Sequence, residues 1–160
     1  MLSVHIICVG KMKEKFYIDA AGEYAKRLGA YCKLTVTELT EEKLPQAPSQ
    51  AQIDAALSRE AQAIRAKLPA GAHVVAMCVE GKTRSSQELA RLVLDCQNSG
   101  AKHLVFLIGG SFGLDESLKK QADTRLSMSP MTFPHHLARV MLLEQVYRAF
   151  KINEGSAYHK

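Results

Sequence analysis

Short apolar runs alternate five times with stretches of helical periodicity, and few architectures accept that order. The first run, residues 2–9, stops at Gly10 and reads as a strand. Lys13 to Leu28 carries Phe16, Ala20, Ala21, Tyr24, Ala25 and Leu28 at helical spacing, with Gly29 as a stop. Residues 31–39 alternate, with Cys32, Leu34 and Val36 on one face of a second strand. Thr40 to Gln50 is polar, contains Pro45 and Pro48, and predicts a loop. Ile53, Leu57, Ala61, Ile64 and Leu68 mark a second helix, ended by Pro69 and Gly71. His73 to Val79 predicts a buried strand. Ser85 and Glu88 then form a capping box ahead of Leu89, Leu92, Val93 and Cys96, in a helix that Gly100 ends. Lys102 to Ile108 is a further buried strand, leading through a glycine-rich turn to a short helix that Asp115 caps and that ends near Ala122. Residues 124–129 predict a last strand, and Pro134 opens a last helix running to about Ile152. The expected fold is α/β, a mainly parallel sheet with helices on both faces, in a single domain over residues 1–160.

Composition narrows the function. A hydrophobic fraction of 47% with 23% charged residues is that of a globular chain. No apolar run approaches a membrane span, and the first ten residues, without a basic leader or a small-residue cleavage site, read as a strand. A net charge of +5 permits an anionic partner such as RNA. Cys8, Cys32, Cys78 and Cys96 lie far apart without a Cys-x-x-Cys, which points to reduced thiols in a cytoplasmic protein. Neither a Gly-x-Gly-x-x-Gly fingerprint after the first strand nor a Walker A sequence is present, so ordinary dinucleotide binding and ATP hydrolysis are disfavoured. No metal motif appears, and no metal is expected.

In open α/β sheets ligands bind beyond the carboxyl ends of the strands. There lie Gly109, Gly110 and Gly113, which suit either a tight turn or a close backbone approach to a ligand. There too lies Met128-Ser129-Pro130-Met131-Thr132-Phe133, either a plain loop or a pocket offering backbone hydrogen bonds and apolar walls to a purine-like ring. On the last helix Val140, Leu142, Leu143, Val146, Tyr147, Ala149 and Phe150 form an apolar arc into which Arg139 points. That arginine either snorkels to water or aims its guanidinium at a carboxylate or phosphate. Glu144 and Arg148 make an i,i+4 pair expected on a solvated face with Lys151. Of the adjacent His135 and His136, at most one can face a pocket, and His135 is the candidate. Tyr158 and His159 stand in a tail that either frays or contacts substrate.

Read in order, Ile108-Gly109-Gly110-Ser111-Phe112-Gly113-Leu114, then Leu126 through Leu137, then Leu143-Glu144-Gln145-Val146-Tyr147-Arg148-Ala149-Phe150 and the ending Ala157-Tyr158-His159-Lys160 resemble the large-subunit rRNA pseudouridine N3-methyltransferases of the H type. These are small members of the SPOUT superfamily. Val9-Gly10-Lys11 and Glu80-Gly81-Lys82 fit as well, so the resemblance covers essentially the whole chain. It implies a deep C-terminal trefoil knot, against the rule that chains do not knot. It implies S-adenosyl-L-methionine as cofactor, bound by Met77, Gly109, Met128, Ser129, Pro130, Met131, Thr132 and Phe133. It implies a homodimer acting on a pseudouridine of 23S rRNA in assembled ribosomes. Met77 stands where leucine is common, a near-isosteric change. Candidate helpers of proton removal are Arg139, Arg148, Tyr158 and His159, of which His159 has the unperturbed pKa suited to a base near neutrality. The rival readings are a ribosome-associated factor that kept the fold and lost catalysis, and a nucleotide-binding enzyme of another kind. Binding of S-adenosylmethionine separates both from the methyltransferase.

Overall fold

A computed structural model describes all of residues 1–160. Five strands and five helices alternate: β1 (Ser3–Val9), α1 (Lys15–Leu28), β2 (Lys33–Leu39), α2 (Gln50–Arg65), β3 (His73–Thr83), α3 (Ser86–Asn98), β4 (His103–Ile108), α4 (Glu116–Gln121), β5 (Thr124–Ser127) and α5 (His135–Asn153). The sheet runs β2-β1-β4-β3-β5, and every pairing in it is parallel.

Strands covered on both faces need apolar residues at consecutive positions, sorted by the two-residue period of the strand. Val4, Ile6 and Cys8 of β1, with Leu104, Phe106 and Ile108 of β4, join the larger core under α1, α3 and α5. Ile7, Val9, Val105 and Leu107 point the other way, into a smaller core with Ala61 and Ile64 of α2, Leu114 before α4 and Leu118 within it. Helices therefore cover both faces, as the alternation requires. The chain passes from β4 across β3 to β5 at the edge and returns in α5, which packs on α1 and α3. This route accords with the implied knot.

Three local readings are corrected. The helix after the proline-containing loop begins at Gln50, because Ser49 and Gln52 form a capping box that ends the loop earlier than the first apolar residue, Ile53, suggests. Strand β3 continues past Val79 to Thr83: Met77 and Lys82 both align with Leu126 of β5, so residues 78–81 bulge out before pairing resumes. Gly81 permits this return, since a Cβ there would lie 2.8 Å from the backbone of Arg125. Phe16 is 66% exposed at the start of α1 and belongs to no core.

Candidate functional site

The bulge of β3, the turn after β4 and the segment after β5 converge on a cleft of about 660 Å³ at the carboxyl ends of these strands. Its apolar walls include Met77, Ile108, Leu126, Met128 and Phe133, and its polar lining includes Ser127, Ser129 and Thr132. Gly109 and Met131 line it too, whereas Pro130 sets the turn between two lining residues without lining the cleft itself. A volume and lining of this kind suit a small molecule with one flat apolar part and one polar part.

The turn after β4 is held from within and from outside. Gly113 has φ +79° and donates its N–H to the Gly110 carbonyl at 3.0 Å. A Cβ on Gly109 would lie 2.3 Å from the backbone of Gly113, so the turn closes only around a glycine. From outside, Glu41 accepts the Ser111 N–H at 2.8 Å. It approaches closely because Gly110 has no side chain: a Cβ there would lie 2.6 Å from Glu41 Oε1.

The mouth of the cleft carries further charged and titratable groups. Lys119 lines it, 13% exposed, bound to Glu80 and Glu116. The Lys119 ammonium holds the Glu80 carboxyl below the usual carboxylate range. His135 lines the cleft, and burial with the neighbouring His136 pulls its pKa down. His136 faces Glu14 at 3.3 Å instead.

The four candidate helpers of proton removal fall into two places, neither in the lining of this cleft. Arg139 is 3% exposed; it donates to Glu38 at 2.7 Å and to the Gly10 carbonyl at 3.1 Å. Its guanidinium is aimed at a carboxylate, but at one of its own chain. Burial pushes the Glu38 carboxyl up, and hydrogen bonds from the Met12 N–H and Arg139 outweigh it, leaving the group below its ordinary value. Arg148, Tyr158 and His159 assemble around Glu144. Arg148 and Glu144 are 25% and 17% exposed, so this pair is no solvated face. Tyr158 donates to Glu144 at 3.3 Å, lies edge-on to Tyr147 and stands under the Arg148 guanidinium. Burial and then Glu144 raise the Tyr158 pKa. Arg148 contacts His159 Nδ1 at 3.1 Å, and since arginine only donates, Nδ1 is the acceptor. Gln87 sits 2.9 Å from the other ring nitrogen.

A groove of about 380 Å³ between α3 and α5 joins the cleft to the cluster around Glu144. It shares Leu126, Ser127 and Met128 with the cleft and has Glu144 of the tail cluster in its wall.

Residues 2–159 match the family model described as "Predicted SPOUT methyltransferase". The chain belongs to this SPOUT family. A protein of Bifidobacterium adolescentis named ribosomal RNA large subunit methyltransferase H is 46% identical, over 99% of this chain and 100% of that one. Its namesake from Levilactobacillus brevis is 43% identical over the same shares. A putative ribosomal RNA large subunit methyltransferase H from Methanococcus vannielii is 45% identical, again over 99% and 100%. Among solved structures, a probable methylase family protein from Haemophilus influenzae has the same fold, with a TM-score of 0.55 at 14% identity, over 95% of this chain and 66% of that one.

Sequence reasoning about this SPOUT chain missed Glu38, Glu41, Glu80 and Lys119. Each acid stands at or just beyond the carboxyl end of β2 or in the β3 bulge, which is where such folds place ligand loops. The only signal for the first two is their place at the end of a predicted strand, and it names no partner for either. Among the residues of this SPOUT chain no group of three or more His, Cys, Asp or Glu is placed to hold a metal, and no helix is long and apolar enough to cross a membrane.

Proposed function

We propose that the protein is a cytoplasmic, S-adenosylmethionine-dependent methyltransferase that methylates N3 of a pseudouridine in 23S rRNA on assembled ribosomes. The observation that carries the reading is the cleft: three segments far apart in sequence, around Met77, Gly109 and residues 128–133, meet in one lining at the carboxyl ends of adjacent strands. Relatives over the full length carry the name of a large-subunit rRNA methyltransferase.

The residues present fit the cofactor. Leu126, Met128 and Ile108 offer apolar walls to its purine, while Ser129, Thr132 and the backbone of the Gly109 turn offer polar partners to its sugar and amino-acid ends. When bound, the cofactor supplies an electrophilic methyl group on sulfonium sulfur. The chain must then align a nucleophilic nitrogen with that methyl and take the proton that N3 gives up. The cleft walls do the first. Proton removal falls to the cluster of Arg148, Tyr158 and His159, where Arg148 would favour the anionic form of the base. The groove that links the cluster to Met128 gives the target base a place between them. Arg139 ties α5 to β2 and the Gly10 turn and acts through position only.

We read the active unit as a homodimer. Met141 and Ile152, which the wheel leaves outside the apolar arc, are partly covered within the chain. The exposed apolar surface lies elsewhere, in Phe16 and Ile18 of α1 and in Phe112 and Met131 at the rim of the cleft. A partner that covers the rim would complete the site.

The deciding experiment is methyl transfer from labelled S-adenosylmethionine to ribosomes lacking the modification, with the product mapped by mass spectrometry. Label on N3 of one pseudouridine is the expected result. Cofactor binding without transfer to any ribosome would point to the non-catalytic factor.

A further inference from the structure

Four cations surround an open cleft of about 500 Å³ at the β5 edge of the sheet. They are Lys82 on β3, Arg84 in the turn before α3, Lys120 on α4 and Arg125 on β5. All four are exposed, and none enters an ion pair within the chain. Other exposed cations, such as Lys67 and Lys102, are unpaired as well; what sets these four apart is that they line one cleft. Two acids share the cleft. Glu80 is neutralised by Lys119, and Asp123 is engaged by the Val74 N–H at 2.8 Å. Within the lining, four cations against Asp123 leave three net positive charges; Glu88, outside the lining, is the further acid on which Lys82 and Arg84 act.

The lining says what kind of anion fits. Ala122 is its one apolar member, and it contains no aromatic ring. Bases need stacking platforms or a shaped polar edge, and this cleft offers neither. Phosphates need only spaced cations in an open channel. Position says where the anion leads. Glu80 borders both this cleft and the candidate cofactor cleft, and Arg84 borders the groove between α3 and α5 as well. A strand gripped here reaches the mouth of both.

We propose that Lys82, Arg84, Lys120 and Arg125 grip the ribose–phosphate backbone of the rRNA flanking the base to be methylated. This rests on the rRNA reaction proposed above. The grip carries no sequence information; it sets the register in which the target base enters.

The test compares the unaltered protein with Lys82→Ala/Arg125→Ala. A control, Lys67→Ala/Lys102→Ala, removes two exposed cations that precede β3 and β4 at the other end of the sheet. Affinity is measured against salt, for whole ribosomes and for large-subunit rRNA stripped of protein. Each lost phosphate contact on a single strand flattens the slope of log K against log salt by about 0.7, so the double variant should be shallower by about 1.4 on both probes. Its KM for ribosomes should rise roughly tenfold, with kcat and cofactor affinity within about twofold of the unaltered protein. The control should keep the original slope. An unchanged slope in the double variant overturns the grip, as does a change equal to the control's. A change seen with ribosomes and absent with stripped rRNA overturns it too, and assigns the patch to an acidic ribosomal protein. The slope effect without methyl transfer by the unaltered protein supports the grip and overturns the reaction.

Discussion

Glu41 Oε1 accepts the backbone N–H of Ser111 at 2.8 Å, across 70 residues of sequence. The acceptor follows β2 at one edge of the sheet, and the donor sits in the turn after β4, two strands away. One carboxylate thus fixes a turn that forms a wall of the candidate cofactor cleft. A charged acceptor makes this a stronger bond than a neutral one.

Glu41→Ala should therefore weaken S-adenosylmethionine binding about tenfold, the value of one lost hydrogen bond near 1.4 kcal/mol. Calorimetry on the folded variant measures it. An unchanged dissociation constant shows that the turn holds its shape without Glu41.

Gly110→Ala should harm the same binding for the opposite reason, because its Cβ meets Glu41 Oε1 at 2.6 Å. Removing the carboxylate removes that clash. The double variant Glu41→Ala/Gly110→Ala should bind no worse than Glu41→Ala alone, a non-additive result. Additive losses on calorimetry would mean that the alanine harms binding by another route.

Arg139→Ala leaves Glu38, itself 32% exposed and still bound by the Met12 N–H, without its cation and should cost about 1.5–3 kcal/mol in urea unfolding. Glu38→Gln should cost less, since the amide oxygen still accepts. The pH dependence has a definite sign. The folded Glu38 pKa is lowered, so its contribution is present above the ordinary carboxylate pKa and is lost as pH falls through the folded value. Stability of Glu38→Gln should fall less steeply in acid than that of the unaltered protein. Parallel acid limbs would show that Glu38 is not a source of the acid sensitivity.

Deleting Ala157 to Lys160 removes the Tyr158 contacts with Glu144, Tyr147 and Arg148. A loss near 1 kcal/mol lowers Tm by about 2–4 °C in a chain of this size. Methylation of ribosomes should fall by about 100-fold or more, with cofactor affinity little changed. His159→Ala alone tests the base: near-normal turnover across pH removes that role from His159 and passes it to Tyr158.

For the proposed homodimer, an interface built on the exposed Phe16 and Ile18 of α1 predicts that Phe16→Glu sediments as a monomer at micromolar concentration. A variant that still sediments as a dimer moves the interface away from α1.

How far the sequence speaks depends on the range of the interaction. Val4 to Val9 and Leu104 to Ile108 announce buried strands because both faces demand apolar residues. Capping boxes at Ser49 and Ser85 are local, and the second is visible to inspection while the first hides in a polar loop. The cleft is legible in part: Gly109 and Met128 to Phe133 stand out by composition and resemblance. Glu38 and Glu41 do not, since their roles arise from Arg139 and Ser111, 101 and 70 residues away. Arg139 shows the same limit. Its direction into the apolar arc is legible from the helix wheel; its burial and its partner are not.

Strand β1 lies between β2 and β4, with Ser3 opposite Lys33 on one side and His103 on the other. Its first neighbour is synthesised about thirty residues later, its second about a hundred. At roughly 5–20 residues per second, the β1–β2 pair waits about 4–14 s for β4, some 70 residues further on, with one edge open and an apolar face bare. An unpaired apolar edge is a template for other chains. The nascent half-sheet is thus the stage at which this protein is most exposed to aggregation, and a chaperone that shields β1 until His103 has emerged would raise its yield.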